Sequence, residues 1–167
     1  MTGASAATTV AEIERLGYTH ALVIPDSESR ALVEELAESA AVDVISPCRE
    51  GESVAIAAGL WTGGAKPLLI IQNTGLMEAG DALRGCGIGP KIPLRMLVGW
   101  RGYTGAQLGK LPIDSAYPYT EPLLAAWGIP WWPLMSDNDL GVIAEMDARA
   151  AETSAPAAVL CGHRFRA

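Results

Sequence analysis

Short, almost wholly apolar runs alternate along this chain with longer segments of helical periodicity. Apolar runs of this length are typical of strands buried on both faces, and strands separated by helices indicate a parallel sheet. Strands are predicted at 20–25, 42–46, 67–73, 93–100, 130–135 and 156–162. Helices are predicted at 8–17, 26–40, 52–64, 75–85, 119–128 and 137–152. The pattern therefore predicts a single α/β domain over residues 1–167, with three layers built around a parallel sheet of about six strands.

Two further segments are predicted to lack regular structure. Residues 101–118 form a long polar stretch, which is typical of a loop. The glycine-rich stretch "GCGIG" (85–89) precedes a proline and follows a predicted helix. A dinucleotide-binding fingerprint would follow a strand directly, so we interpret 85–89 as a loop and not as a nucleotide site.

The composition excludes several classes of function. The net charge of -7 offers no basic surface for nucleic acid or an anionic membrane. Hydrophobic residues make up 50% of the chain, an apolar share that suggests a subunit interface. The first residues lack a basic segment followed by a long apolar core, and no apolar run approaches the roughly 18 residues that span a bilayer. We therefore expect a cytoplasmic protein.

Cysteine and histidine are too few to organise the fold. Three cysteines do not provide a disulfide framework, and two histidines without a Cys-x-x-Cys pair provide no zinc ligand set. We therefore expect no metal site made by this chain alone.

Polar residues gather where the first three predicted strands end. They are Pro25, Asp26 and Ser27 after the first strand, "SPCREGES" (46–53) after the second and "QNTGL" (72–76) after the third. In an open parallel sheet the carboxyl ends of the strands share one edge, and ligands bind there. The sequence therefore predicts the functional site at this edge.

Taken together, these junctions resemble those of the α subunit of sulfopyruvate decarboxylase and the matching part of phosphonopyruvate decarboxylase, a family of thiamine-diphosphate enzymes. The matching segments are "IPDSESRALVEEL" (24–36), "CREGESVAIAAGLWTGGAKPLLIIQNTGL" (48–76) and "LVGWRG" (97–102), with a weaker match in "LLAAWGIP" (123–130). The resemblance implies a fold of the thiamine-diphosphate pyrimidine-binding type, and it implies decarboxylation of a 2-oxo acid.

The resemblance also implies a role for one of the two glutamates near residue 50. In this family a glutamate shares a proton with the aminopyrimidine of the cofactor and thereby activates it. Its spacing from the glycine of the following helix, here Gly59, implies Glu50 as this residue and leaves Glu52 in a supporting role. The turn after the third strand is implied to contact the cofactor as well, through Gln72, Asn73, Thr74 and Gly75.

A small anionic 2-oxo acid, such as a 3-sulfo or 3-phosphono acid, is the implied substrate. Its implied contacts are Pro25, Asp26, Ser27, Arg49 and Arg101, and Lys110 could attract it too. The chain departs from the family at Met77-Glu78, where relatives have Gly-Asn. Because that turn should border the substrate, the sequence leaves the particular acid open.

Simpler roles stay open for several of these residues. A glutamate at a helix N-terminus often serves only as a partner of the helix dipole. Gln72, Asn73 and Thr74 could close a strand in an Asx or Ser/Thr turn, and Asp26 with Ser27 could cap a helix. Arg101 and Lys110 could be solvated loop charges.

The chain lacks the Gly-Asp-Gly motif with which thiamine enzymes hold Mg²⁺ and the diphosphate. The resemblance therefore implies half of a site, completed by a β subunit that holds the metal and diphosphate of the shared thiamine diphosphate. The expected assembly is a hetero-oligomer such as α2β2 or larger. The alternative is a noncatalytic α/β subunit that keeps the fold for binding or assembly.

Overall fold

A computed structural model of the chain describes residues 3–111 and 114–167. Within these residues, six strands form one parallel sheet in the order β2-β1-β3-β4-β6-β5. The strands are β1 (His20–Val23), β2 (Asp43–Ile45), β3 (Pro67–Gln72), β4 (Arg95–Gly99), β5 (Trp131–Leu134) and β6 (Ala157–Cys161). The predicted α/β class and parallel sheet are therefore confirmed.

Helices cover both faces of the sheet and give the predicted three layers. The first face carries α1 (Ala6–Arg15), α2 (Arg30–Ala37) and α8 (Gly141–Thr153). The second face carries α3 (Glu50–Thr62), α4 (Asn73–Glu78), α5 (Gly80–Ala82), a π-helical turn (Leu83–Ile88) and α7 (Tyr117–Ala126). The short helix α6 (Tyr103–Gln107) and a 3₁₀ turn (Asp137–Asp139) lie in connections.

Strand β3 shows how the sequence pattern produces the two cores. Its residues from Pro67 to Ile71 are all buried, because a central strand is covered on both sides. Leu68 and Ile70 pack into the core of the first face, whereas Leu69 and Ile71 pack into that of the second. Each of these side chains contributes about 1.5 to 3 kcal/mol by leaving water. A continuous apolar run is thus the sequence of a strand with no solvent face.

The connections after neighbouring strands leave the sheet toward opposite faces at two places. After β1 the chain turns to α2 on the first face, and after β3 it turns to α4 on the second. After β4 the chain runs to α7 on the second face, while the segment after β6 returns to the first, where Phe165 is buried. Ligand crevices form at such points in parallel sheets. The fold therefore offers two crevices on its carboxyl edge, between β1 and β3 and between β4 and β6.

The opposite, amino edge of the sheet is held by a cluster of charges. Asp147 on α8 accepts Arg95 Nε at 2.5 Å and Lys66 Nζ at 2.7 Å, and Tyr18 OH lies 3.4 Å from it. Lys66 Nζ also donates to the carbonyl of Leu16. Burial, first of all, raises the pKa of Tyr18, so the phenol stays protonated. The cluster joins α8 to β3, to β4 and to the turn after α1.

The predicted helix 75–85 is wrong as a single element. Helix α4 ends at Glu78, α5 spans three residues, and a π-helical turn follows from Leu83 to Ile88. Close packing explains the breaks. A Cβ at Gly80 would stand 3.1 Å from the Trp127 ring, and one at Gly87 would stand 2.8 Å from Leu94. The backbone therefore winds to bring both glycines against these side chains.

Two predicted loops contain regular structure. The stretch 85–89 lies largely in the π-helical turn, so the loop prediction there is wrong. The stretch 101–118 contains α6 and the start of α7, although residues 112 and 113 lie outside the described part. The other predicted elements are present with shifted ends. The largest shifts, of four residues each, are at the starts of α2 and α8. Helix α2 begins at Arg30 because the preceding residues form an Asp26-capped turn, and α8 begins at Gly141 after the 3₁₀ turn.

Within the described residues, no helix combines the length and the apolar character that a membrane crossing requires. That residues 1–167 form a single domain stays a prediction.

Candidate functional site

Glu50 is the first residue of α3 and lies beside the turn after β3. Arg49 is extended (φ -156°, ψ 159°), and the helix begins at the next residue. The Glu50 side chain lies directly over Gly75, because a Cβ built there would stand 2.5 Å from Glu50 Cγ and 2.6 Å from Cδ. Gly75 is buried and follows Thr74 in the first turn of α4. A residue with any side chain at 75 would therefore displace Glu50.

The carboxylate of Glu50 is half-buried and has no hydrogen-bond or ion-pair partner among residues 3–111 and 114–167. Glu52, by contrast, reaches back over the first turn and accepts the Cys48 N–H at 2.8 Å. The two glutamates thus point to different surroundings, as their positions on one helix require. Glu52 holds the backbone that precedes the helix, while the Glu50 carboxylate stays available to a ligand.

The end of α4 fastens the first turn of α3. Glu78 Oε2 accepts the Gly51 N–H at 2.8 Å, and Glu78 Oε1 forms an ion pair with Arg49. Sequence reasoning placed Glu78 at the substrate and missed this contact. The one available signal in the sequence was the departure from the family resemblance at Met77-Glu78, close to the start of the predicted helix 75–85. Arg49, predicted to bind substrate, has its charge compensated by Glu78.

Asn73 joins the ends of β3 and β4 to α7. It is fully buried, and its Nδ2 donates to the Arg101 carbonyl at 3.1 Å and to Thr120 Oγ1 at 3.0 Å. Its Oδ1 is also buried and meets no donor in the described part of the chain. Thr74 Oγ1 donates to Gln72 Oε1 at 2.8 Å. This bond joins two side chains and is therefore not the side-chain-to-backbone bond of an Asx or Ser/Thr turn. The turn at 72–75 is thus ordered around one unsatisfied oxygen.

The residues after β1 cap a turn and also line a hollow. Asp26 Oδ1 accepts the N–H groups of Glu28 at 2.6 Å and Ser29 at 2.9 Å, and Oδ2 accepts Ser29 Oγ. Asp26 thus caps the turn before α2 and not the helix itself, whose N-cap is Ser29. Pro25, Asp26 and Ser27 line a surface cavity of about 440 Å³ with Arg30 and Glu34.

Arg101, the remaining predicted substrate contact, is also paired. Its Nε lies 2.8 Å from Asp114 Oδ2, in the long connection after β4. Lys110, in the same connection, has no ion-pair partner among the described residues. The structure thus assembles Glu50 with Gly75 and places Asn73 at the same edge, but it gives acidic partners to both predicted arginines.

A second cavity, which sequence reasoning missed, lies in the crevice between β4 and β6. It has a volume of about 480 Å³, and its walls include Trp100, Lys110 and His163. The chain after β6 forms one side of it, since Phe165 N–H donates to the Glu28 carbonyl and Ala6 N–H to that of Arg166. No local sequence motif predicts this cavity, because its walls come from four separate segments of the chain.

The described residues contain no cluster of three or more histidine, cysteine, aspartate or glutamate side chains that could hold a metal. The Cys161 thiol does not supply a reactive group at this edge of the sheet either. Cys161, at the end of β6, is buried, and burial raises its pKa to about 12.

Comparison with known proteins supports the family resemblance seen in the motifs. No family model matches the chain. The chain is 31% identical over 109 residues to a sulfopyruvate decarboxylase of Methanosarcina acetivorans and 33% identical over 100 residues to a phosphonopyruvate decarboxylase of Streptomyces viridochromogenes. These matches cover 65% and 60% of this chain. They cover only 27% and 25% of the two relatives, so the chain matches about a quarter of their length.

A third relative matches over most of its length. It is the sulfopyruvate decarboxylase subunit alpha of Methanococcus maripaludis, at 24% identity over 139 residues, which is 82% of this chain and 81% of the relative. The predicted similarity to sulfopyruvate and phosphonopyruvate decarboxylases is therefore confirmed.

Proposed function

We propose that this chain is the α subunit of a thiamine-diphosphate-dependent 2-oxo acid decarboxylase. In this proposal Glu50 contacts the cofactor, and a separate β subunit completes the active site. The observation that carries the proposal is the unpaired, half-buried carboxylate of Glu50 over Gly75, at the carboxyl edge of a parallel sheet. The names of the three relatives support the reaction, and the name "subunit alpha" supports the division between two chains.

The residues beside Glu50 fit the polar edge of an aminopyrimidine. Glu50 offers a carboxylate oxygen that no protein donor occupies in the described residues. Asn73 offers a buried Oδ1 that lacks a donor. An exocyclic amino group and a ring nitrogen that exchanges a proton are suitable partners for such acceptors. We infer that Glu50 binds the ring nitrogen, while Asn73 Oδ1 needs a local movement to meet a donor.

The chain's own residues then hold and move one proton. When bound, thiamine diphosphate supplies an electron sink for the carbon that loses CO₂. The Glu50 carboxylate shares a proton with the ring nitrogen and so sets the protonation of the aminopyrimidine. The Gly75 backbone leaves room for the carboxylate, while the Glu78 contacts hold the first turn of α3. Mg²⁺ and the diphosphate would be bound by the β subunit, since the described residues hold no metal cluster.

The test compares Glu50→Gln with Glu52→Gln in the complex with the β subunit, thiamine diphosphate and Mg²⁺. We expect Glu50→Gln to assemble normally and to lose activity on 3-sulfopyruvate and 3-phosphonopyruvate by roughly 10² to 10⁴-fold, because an amide cannot share the proton. Glu52→Gln is the matched control, since its amide oxygen can still accept the Cys48 N–H. CO₂ release and exchange of the cofactor C2 proton are measured for both variants.

Three outcomes would contradict the proposal. Loss of C2-proton exchange in Glu52→Gln but not in Glu50→Gln would show that Glu52, and not Glu50, activates the cofactor. Unchanged exchange in both variants would remove the thiamine mechanism. A wild-type complex that binds no thiamine diphosphate would favour the noncatalytic alternative.

A further inference from the structure

Several basic side chains at the carboxyl edge of the sheet line one cavity, which we call the β4–β6 cavity. Among the described residues its walls include the basic side chains Lys110, Arg164 and Arg166, the imidazole of His163, and one acid, Glu28. The whole chain has 12 lysines and arginines against 19 aspartates and glutamates, so this grouping runs against the overall balance. A cavity lined by one sign of charge attracts ligands of the opposite sign.

The ion pairs around the cavity leave one positive charge uncompensated. Arg164 Nε lies 3.5 Å from Glu28 Oε1, and Arg166 forms an ion pair with Asp137. Lys110 has no such partner among residues 3–111 and 114–167. The cavity is therefore suited to one singly charged group. The two arginines predicted to bind substrate do not compete for it, because Arg49 is paired with Glu78 and Arg101 with Asp114.

The rings of Trp100 and His163 line the cavity, and each has a nitrogen without a protein partner in the described residues. His163 is 8% exposed, and its Nδ1 lies 2.8 Å from Thr104 Oγ1. Thr104 Oγ1 also lies 3.2 Å from the Gly162 carbonyl, to which it can give its single proton. The ring therefore carries a proton on Nε2, which has no protein partner in the described residues, when Thr104 turns its hydroxyl to Nδ1 or when the ring is protonated. Trp100 is 5% exposed, and its Nε1–H is buried without an acceptor. A buried donor without an acceptor is rare enough to need an explanation.

We propose that the β4–β6 cavity binds the second acidic group of the substrate, a sulfonate or other singly charged oxyanion, through Lys110 and His163. This inference rests on the proposed function, because it assumes that the substrate reaches the carboxyl edge beside Glu50. The adjacency supports it. Gln72 and Gly99 are paired at the ends of β3 and β4, and a Cβ on Gly99 would stand 3.1 Å from Glu28 Cβ. The cavity thus begins next to the strand that carries the candidate cofactor turn.

The first test measures binding without catalysis, on the full chain. Methanesulfonate is titrated while the indole N–H signal of Trp100 and the ring signals of His163 are followed by NMR. We expect saturable shifts of both residues, and no shifts with the neutral analogue methanesulfonamide. Inorganic phosphate, added in a separate arm at about pH 8.5 where it is mostly doubly charged, should bind less tightly because the cavity compensates one charge. Equal shifts with the neutral analogue, or none with methanesulfonate, would overturn the inference.

Charge variants identify the site. Lys110→Met and His163→Gln are each expected to raise the Kd for methanesulfonate roughly tenfold or more, since a charge-assisted contact is lost. Arg149→Met, which removes one positive charge on α8 outside the cavity lining, is the control for net charge. If Arg149→Met weakened binding as much as Lys110→Met, the effect would be a general one of charge and the inference would fall.

The second test separates this inference from the proposed function. In the complex with the β subunit, Lys110→Met should raise the KM for 3-sulfopyruvate roughly tenfold to a hundredfold. Decarboxylation with a KM that Lys110→Met does not change would overturn the cavity assignment and leave the proposed function intact. A complex that binds methanesulfonate in the cavity but releases no CO₂ from the 2-oxo acids would give the opposite result. The anion site would then stand, and the proposed decarboxylase function would fall.

Discussion

Glu78 Oε2 accepts the Gly51 N–H at 2.8 Å and thereby ties the last turn of α4 to the first turn of α3. Glu50 lies in that first turn, so Glu78 holds the helix start that carries the candidate catalytic carboxylate. A carboxylate at a helix N-terminus also interacts favourably with the helix dipole. Glu78 is therefore a positioning residue in the proposed mechanism.

Replacing Glu78 by alanine should destabilise the start of α3. We expect the free energy of unfolding to fall by about 0.5 to 2 kcal/mol, the usual cost of losing an N-terminal acceptor. Glu78→Gln keeps an oxygen for the Gly51 N–H and loses only an ion pair with the exposed Arg49, so it should cost at most about 0.5 kcal/mol. Urea unfolding of both variants makes the comparison. An equal loss in both would assign the effect to charge and not to the hydrogen bond.

Gly75→Ala should disturb Glu50 directly. The new Cβ would occupy the space of Glu50 Cγ and Cδ, and we expect a cost of about 1 to 3 kcal/mol from overpacking. Gly59→Ala is the control, because a Cβ on that residue of α3 meets no atom within 4 Å and alanine favours a helix by about 1 kcal/mol. Thermal unfolding is the measurement.

A double variant tests the reason for the Gly75→Ala effect. Glu50→Ala removes the side chain that the new Cβ strikes, so Glu50→Ala with Gly75→Ala should recover most of the lost stability. If the two costs simply add, the two residues do not compete for the same space.

Asp147→Asn should be one of the more destabilising single substitutions on the amino edge. Asp147 is the partner of both Arg95, whose side chain is 6% exposed, and Lys66. Removing the acid leaves the buried guanidinium without its counter-charge, and we expect a loss of about 3 kcal/mol or more. Glu152→Gln, which breaks the exposed pair with Arg149, should cost less than about 0.5 kcal/mol. Similar urea midpoints for the two variants would contradict this view of the cluster.

The stability of the fold should fall below neutral pH partly because of His163. Burial lowers the pKa of His163 below its usual 6.5, so the unfolded chain takes up a proton that the folded chain refuses. The His163 contribution is therefore complete above about pH 6.5 and is lost as the pH falls from there toward the lowered pKa. We expect His163→Gln to reduce the drop in unfolding free energy between about pH 7.5 and pH 5.5. A pH dependence identical to that of the wild type would exclude His163 as a source.

The elements that could be predicted from the sequence are those whose burial is nearly complete. The run 67–73 predicted β3 with one residue in excess, because no solvent-facing residue interrupts it. The stretch 75–85 was predicted as one helix, and the break after Glu78 was not, since it depends on Trp127 packing against Gly80 from a distant segment. The local sequence pattern thus predicts buried strands well. It does not predict the type of helix where a side chain from a distant segment decides how the backbone packs.

The candidate site was predictable to the same extent. The junctions after β2 and β3 indicated Glu50 and Gly75 as neighbours of one ligand, and the parallel sheet brings them into contact. The pairing of Arg49 with Glu78 and of Arg101 with Asp114 could not be predicted, because a charge in a sequence does not identify its partner in space. The β4–β6 cavity was missed because its walls come from segments that are far apart in the sequence.

Because the charge cluster around Asp147 holds only the amino edge of the sheet, amide hydrogen exchange should be slower at that edge than at the carboxyl edge. The cluster fastens α8, β3 and β4 at the amino edge, while the carboxyl edge carries the short helices α4 and α6. Amides of β3 and β4 should therefore exchange only when the whole fold opens, whereas those of α4 and α6 should exchange through local openings. Rearrangement on meeting a partner would then be confined to the edge where the ligand enters.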